Sequence, residues 1–391
     1  MTARRLLVVS DEMEVGGSQR QISYLLGGLD RTRWQPELLF FRHESFMVRE
    51  LREQGITVHH LHKRGRFDLG FILRYAALLR RGRYDLVHAY SLTAELWTAV
   101  ARLLVQRAPP QVSSVRNLHL TKSRLFWGLK RFAMRRSAAV IANARAAAAA
   151  AAVQVKVPLD RFDVVPNGIL PAQPLATGER EALRQALGVP EGRIFGLFVG
   201  RLVRQKNLAC LVRAMSALPA GERPWIALAG QGPLQADIQQ RQEAAGLHGD
   251  LRFLGERADA VLLMKAADFL VLPSLHEGMS NVLMEAMSVG CPVVASEVGG
   301  NSELIEHGVS GLLFASDDAG ALAAHLRELV IAPSLRARLS AEAAARIRSR
   351  YSIPQLVAAT VAVYERCLRV HATQVAPRQH TLMATKPDGD A

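Results

Sequence analysis

Short apolar, β-branched runs alternate with helical patterns along most of this chain, and they do so in two separate series. The first series is Leu6–Ser10, Glu37–Phe41, Ile56–Leu61, Asp85–Tyr90, Gln111–Val115, Ala138–Ala142 and Phe162–Pro166. Helical patterns at about Ser18–Leu29, Met47–Gln54 and Ile72–Arg80 lie between its early members. The second series is Ile194–Val199, Trp225–Ala229, Leu251–Phe253, Phe269–Leu272, Pro292–Ala295 and Gly311–Phe314. Near-continuous apolar runs are what strands buried on both faces require, and intervening helices supply the crossovers of parallel βαβ units. The expected fold class is therefore α/β, with two Rossmann-like doubly wound domains.

The break between the series falls at 171–190, where Pro171, Pro174, Gly178, Gly188 and Pro190 interrupt both periodicities. This gives an N-terminal domain at 1–170, a linker region at 171–190 and a C-terminal domain at 191–350. A helix over 351–370 is expected to cross back to the N-terminal domain. The Pro/Gly/Asp-rich residues 371–391 read as a disordered tail. The alanine run Ala146–Ala152 reads as a helix end without chemistry.

Charge distinguishes the two halves. Residues 1–170 hold 27 Lys+Arg and 13 Asp+Glu, a balance of +14, whereas 171–391 hold 22 of each. The 64 residues between Glu95 and Asp160 contain 11 Lys+Arg and no carboxylate. A field of one sign points to an anionic partner, and nucleic acid, an anionic membrane and a phosphorylated or acidic substrate all qualify. The three cysteines, Cys210, Cys291 and Cys367, are too few and scattered for a disulfide framework or a Cys-based metal site. The apolar run at the N-terminus stops at Asp11, too early for a signal peptide, and no 18-residue apolar stretch is present. A cytoplasmic protein is expected.

The densest constellation follows the strand Phe269–Leu272, in Pro273-Ser-Leu-His-Glu277-Gly278-Met279-Ser280-Asn281-Val282-Leu-Met-Glu285. Glycine and small polar residues sit where a strand ends and a helix begins. Ligands bind at that edge of an open α/β sheet, and free N–H groups at a helix start hold anions. Glu285, two turns inside the helix, could accept two vicinal hydroxyls, and Glu277, before it, could reach a sugar ring. Taken alone, Glu277 would be a cap and Glu285 a solvated carboxylate. They are not alone: the first strand of the same domain ends in Gly200-Arg201 and is followed by Lys206-Asn207, two cations suited to a diphosphate.

Together these residues resemble the family 4 retaining glycosyltransferases (glycosyl transferases group 1), over roughly residues 5–370. The resemblance also rests on Gly16-Gly17, Val87-His88-Ala89, Ile141-Ala142-Asn143, Pro166-Asn167-Gly168, Gly230-Gln-Gly232-Pro233, Phe253-Leu-Gly255, Gly290-Cys-Pro292 and Val298-Gly-Gly300 with Glu303. It implies a GT-B architecture, two Rossmann-like domains facing across a cleft. It also implies a nucleotide-sugar donor, UDP- or GDP-linked, with no cofactor and no metal. Arg201 and Lys206 would grip the diphosphate, Glu285 the ribose, and Glu277 the sugar hydroxyls as a positioner in a front-face, retaining transfer. Gly200, Gly278, Met279, Ser280, Asn281 and Val282 would line the donor, Phe253 would flank the base, and Gly16 and Gly17 would approach the diphosphate from the first domain.

One departure concerns a histidine that many members carry after the strand matching Val112–Val115. Here the segment reads Ser114-Val115-Arg116-Asn117, with His119 beyond it. Arg116, Asn117, His119 and His88 are the candidate substitutes. The segment Ser123–Arg136 has Leu125, Phe126, Leu129, Phe132 and Ala133 on one helical face and Arg124, Arg131 and Arg135 on the other. Arg124, Trp127, Lys130, Arg131 and Arg135 are thus expected at a surface that meets an anionic inner membrane face or the acceptor. The expected partners are a nucleotide sugar and a saccharide or lipid-linked acceptor in cell-envelope polysaccharide or glycolipid assembly. The alternatives are a basic nucleic-acid-binding protein, for which no helix-turn-helix, zinc finger or RNP-like strand is found, and a sugar-nucleotide-binding protein without catalysis.

Overall fold

The computed structural model describes residues 3–14, 16–65, 68–116, 123–171, 175–176 and 178–375. Among the described residues, thirteen strands build two parallel sheets. The first contains β1 (Arg4–Val9), β2 (Trp34–Phe40), β3 (Thr57–His60), β4 (Leu86–Ala89), β5 (Gln111–Val115), β6 (Ala139–Ala142) and β7 (Phe162–Val164). The second contains β8 (Phe195–Val199), β9 (Trp225–Ala229), β10 (Leu251–Gly255), β11 (Phe269–Leu272), β12 (Val293–Ser296) and β13 (Leu312–Phe314).

The strand orders are β3-β2-β1-β4-β5-β6-β7 and β10-β9-β8-β11-β12-β13. Each order reverses once, between β1 and β4 and between β8 and β11. Adjacent strands whose following helices lie on opposite faces leave a crevice at their carboxyl ends, which is where doubly wound sheets bind ligands. Leu6 to Val9 of β1 and Phe269 to Leu272 of β11 are fully buried, as strands covered on both faces must be.

Two features differ from the expectations. Within the Pro/Gly-rich connection, Glu179–Leu187 forms a helix, flanked by Gly178 and Gly188 in left-handed conformation. It belongs to the second domain, because Arg184 donates to Asp268 at 2.9 Å and Leu183 and Leu187 pack on that domain's core. The pattern over 319–350, which reads in the sequence as one helical stretch, forms two helices, Ala319–Ile331 and Pro333–Arg350, split at the proline.

The long helix Ile353–Val375 packs back on the first domain. Its Tyr364 lies edge-on to Trp34 at 5.5 Å between ring centroids, and Val357 would meet a Cβ on Gly28 at 2.8 Å. Residues 371–375, expected as the start of a disordered tail, continue this helix, and the rest of that tail lies outside the described residues. No described helix is long and apolar enough to cross a membrane.

Candidate active site

The loops after β8 and β11 flank the reversal point of the second sheet, and they hold the charged residues singled out in the sequence. After β8 the chain turns through Gly200 and reaches Lys206 in a single 3-10 turn, Arg204–Lys206. Gly230, after β9, has φ +142°, and a Cβ there would lie 2.0 Å from the Gly200 carbonyl oxygen, so only glycine lets these loops lie together. Lys206 Nζ donates to Glu277 Oε1 at 2.6 Å, and Ser274 Oγ donates to the same oxygen at 2.7 Å. Gln205 pins the two loops to each other, accepting from Leu275 N and donating to the His276 carbonyl, both at 2.8 Å. Arg201 is exposed at the end of β8, and Phe253 is half-buried on β10.

The helix Asn281–Ser288 starts with Ser280 as its cap, Oγ accepting from Leu283 N. Gly278, Met279 and Ser280 are buried, and Asn281 and Val282 are half-buried. Gly278 must be small: a Cβ there would sit 2.4 Å from the Arg116 carbonyl oxygen of the first domain. Across the cleft stands the start of helix Gly17–Gly28, capped by Gly16. Asn281 Nδ2 donates to the Gly17 carbonyl at 3.0 Å, and a Cβ on Gly17 would meet that amide at 2.8 Å. Two helix N-termini therefore converge, and their positive ends add to Arg201 and Lys206.

Glu285 is buried on this helix and ion-paired with Arg20 of the first domain. Burial pushes its pKa up, and Arg20 opposes that rise. Further bridges close the cleft. Asn167 Nδ2 donates to Asn281 Oδ1 at 2.7 Å, and Arg116 Nη1 donates to Asn167 Oδ1 at 3.0 Å. Glu303 of the second domain accepts from the backbone amides of Arg145 and Ala146 at 3.0 and 2.9 Å, capping a helix whose own cap residue is Ala144.

Several expected contacts take other forms. His88 is fully buried and not in the cleft: Tyr364 OH lies 2.6 Å from Nδ1 and Ser114 Oγ 2.8 Å from Nε2. Burial, and then the charge of Arg116, holds its pKa well below the ordinary value, so it is a neutral structural residue. Arg116 is at the cleft but buried, its guanidinium 4.8 Å from the Tyr90 ring centroid. Asn117 and His119 lie outside the described residues.

The basic helix Arg124–Arg135 is rotated from its expected setting. Lys130, expected at the surface, is buried, its Nζ donating to Glu95 Oε1 at 2.6 Å and to the Ser114 carbonyl at 3.1 Å. Ala133 and Met134 share its buried face, Trp127 packs partly buried on the same core, and Leu125, expected inward, is 62% exposed. Glu95 is what turns the helix: its buried carboxylate requires a cation, and Lys130 is the one within reach. Arg124 and Arg135 are exposed, and Arg131 is half-exposed.

Comparison with known proteins gives the family. Residues 15–173 match the model of Glycosyltransferase Family 4, and residues 179–346 match that of Glycosyl transferases group 1. A D-inositol 3-phosphate glycosyltransferase of Saccharomonospora viridis is 30% identical over 293 residues, 69% of this chain and 67% of that protein. The chain belongs to the family 4 glycosyltransferases.

A lipopolysaccharide core biosynthesis glycosyltransferase of Rhizobium meliloti, LpsD, is 32% identical over 196 residues, 50% of this chain and 54% of that protein. Among solved structures, HepE of Anabaena in complex with UDP and glucose superposes with a TM-score of 0.81 at 22% identity, covering 95% of this chain and 100% of that one. The fold of this glycosyltransferase is GT-B.

Sequence reasoning passed over Arg20, Ser274 and the part played by Glu303. Arg20 had one signal. It lies one turn inside a helix that begins at the cleft, and helical side chains lean toward the N-terminus.

Proposed function

We propose that this glycosyltransferase moves a sugar, with retention of configuration and without a metal, from a nucleotide-diphosphate donor to a saccharide or lipid-linked acceptor in cell-envelope polysaccharide or glycolipid assembly. The observation that carries the reading is the clustering of Lys206, Glu277 and Ser274 beside the Ser280-capped helix, with Glu285 one further helical turn in. Two helix N-termini, Arg201 and Lys206 supply positive potential for a diphosphate and for the charge that grows on it as the glycosidic bond breaks. Glu285 receives the ribose hydroxyls. The UDP and UDP-glucose bound by HepE favour a uridine donor, with Phe253 beside the base. The acceptor class rests on relatives named for lipopolysaccharide core biosynthesis.

In the transfer, the acceptor oxygen attacks the anomeric carbon from the side the leaving group departs. The electron pair of the breaking C–O bond goes to the diphosphate, and the acceptor proton goes to a leaving phosphate oxygen. Glu277 does not serve as the nucleophile in this reading. One of its oxygens is already committed to Lys206 and Ser274, which suits holding a sugar hydroxyl. The outward side of helix Arg124–Arg135, with Arg124, Arg135 and Leu125, faces an anionic bilayer.

The test is a thermal-shift screen with nucleotides and nucleotide sugars, followed by transfer assays. A donor at a hundred times its Kd stabilises by about 2.7 kcal/mol. Lys206→Ala and Glu285→Ala abolish transfer while the protein stays folded. Wild-type turnover in both would sink the proposal.

A further inference from the structure

The ion pair between Arg20 and Glu285 joins residues 265 apart in sequence and on opposite sides of the cleft. Glu285 is the buried member, at 9% side-chain exposure, and Arg20 reaches it from helix Gly17–Gly28. That helix is not free to drift. Gln21, the next residue, makes a reciprocal pair with Gly168, Nε2 donating to its carbonyl and Oε1 accepting from its amide, both at 2.8 Å. Asn281 holds the start of the helix through the Gly17 carbonyl. The contact is made to Oε1 of Glu285. An ionised carboxylate accepts at both oxygens, so Oε2 keeps its lone pairs for a vicinal diol.

We infer that Arg20 is a positioning residue for donor binding: from the first domain it keeps Glu285 of the second an aimed carboxylate anion, so that the donor's hydroxyls meet a strong acceptor only when the cleft is closed. The inference rests on the assignment of Glu285 to the donor proposed above. A buried carboxylate without a cation is driven toward its neutral form, and a neutral carboxyl is a poor partner for two hydroxyl donors. Burial already pushes the Glu285 carboxyl up, and the charge and hydrogen bond of Arg20 are what oppose it.

The other titratable groups around this helix do not supply that charge. Tyr24, one turn after Arg20, feels both members of the pair, but it is a phenol whose pKa its own burial raises, so it stays neutral. On the packed helix Pro333–Arg350, Arg336 binds the Leu329 and Val330 carbonyls, Arg338 the Gly308 carbonyl, and Arg346 the Leu304 carbonyl and Glu306. Lys265, on the neighbouring helix Ala260–Ala266, lines a cavity with Arg180, Asp268 and Arg336. Arg20 is therefore the cation that Glu285 depends on.

The sign follows from the group. Without Arg20 the Glu285 pKa rises further, so donor affinity is retained at high pH and lost as pH falls through that value. The experiment measures the Kd of UDP, with GDP as a second probe, by calorimetry between pH 6 and pH 9. Wild-type affinity is nearly flat across this range. Arg20→Met binds close to wild type at pH 9 and about tenfold or more weaker at pH 6. Arg20→Lys, which keeps a cation, recovers most of the loss, and Arg20→Met/Glu285→Gln shows no pH dependence. Thermal melts followed by circular dichroism check the fold, and Arg20→Gln, also neutral, carries the test if Arg20→Met does not fold.

An Arg20→Met affinity equal to wild type at every pH overturns the inference. So does a loss of the same size at every pH, which would make Arg20 a direct nucleotide contact or a purely structural residue. Wild-type UDP affinity in Glu285→Gln, or wild-type protein that binds neither nucleotide, overturns the underlying assignment instead.

Discussion

Replacing Lys206 by methionine tests whether the site is built as a coupled unit. In the structure Lys206 Nζ and Glu277 Oε1 are 2.6 Å apart, with side-chain exposures of 15% and 10%. Removing one partner of a buried pair costs about 3–5 kcal/mol because the other charge is stranded. Glu277 keeps the Ser274 hydroxyl, and the pair borders an open cleft, so the cost falls just below that range, at about 2–3 kcal/mol. Glu277→Gln costs less, about 1–2 kcal/mol, since the lysine stem can swing its ammonium into water. The double variant Lys206→Met/Glu277→Gln strands no charge and costs about 1 kcal/mol, which leaves a coupling of about 3 kcal/mol between the residues. The assay is denaturant unfolding followed through Trp225, the tryptophan of the second domain, buried in β9. Sugar transfer is lost in all three variants, so the recovery of stability in the double variant separates folding from chemistry. A Lys206→Met protein within about 0.5 kcal/mol of wild type would refute the reasoning, as would additive losses in the double variant.

Four further outcomes follow from the same structure. Glu37 accepts from Tyr84 OH and pairs with His59 at 2.6 Å each and with Arg5; burial pushes its pKa up, but these bonds outweigh burial and hold it at about 2. Its contribution of about 3 kcal/mol is present above its ordinary value of 4.5 and lost as pH falls toward 2, so acid unfolding of Glu37→Gln converges on wild type there. Glu303→Gln weakens the cap it lends to helix Arg145–Val155 by about 1 kcal/mol, and small-angle scattering of the ligand-free protein reports a larger radius of gyration. Lys130→Met destabilises the first domain by about 3 kcal/mol. Joint replacement of Arg124 and Arg135 by alanine changes stability by less than about 0.5 kcal/mol but lowers co-sedimentation with anionic vesicles.

The fold was legible because its strands are covered on both faces, so each appears as a short apolar run that no surface requirement interrupts. Runs such as Phe269–Leu272 need no partner information to be recognised. The spacing of Glu277 and Glu285 was legible for a related reason: strand end, cap and helix are consecutive in the chain, and local geometry fixes where those carboxylates stand. What failed depended on distant partners. The setting of helix Arg124–Arg135 follows from Glu95, 35 residues before Lys130; apolar periodicity placed Ala133, Arg124 and Arg135 correctly but put Leu125 inside and Lys130 outside. His88 looked like a cleft residue because it sits near the end of β4. Tyr364, 276 residues later, takes its Nδ1 and buries it. Arg20 was missed because nothing near it in sequence reveals a carboxylate waiting in the other domain.

The same distinction changes what the +14 charge means. A count of lysines and arginines gives charges but no addresses, and the structure spends several first-domain cations internally. Lys130 neutralises Glu95, Arg5 neutralises Glu37, and Arg20 is matched by Glu285. Arg116 is buried between Tyr90 and Asn167. The neutral half is therefore not electrically idle: it lends Glu285 to Arg20 and Glu303 to a helix N-terminus of the basic half. These two acids act across the cleft, so the asymmetry of charge helps to hold the two domains together in the closed form. The remaining excess sits in exposed residues such as Arg107, Arg124, Arg135 and Lys156. On the proposed reading, a basic surface there selects for where the enzyme sits or what acceptor approaches it, while the donor is met by Arg201 and by Lys206, which the fold has already paired with Glu277.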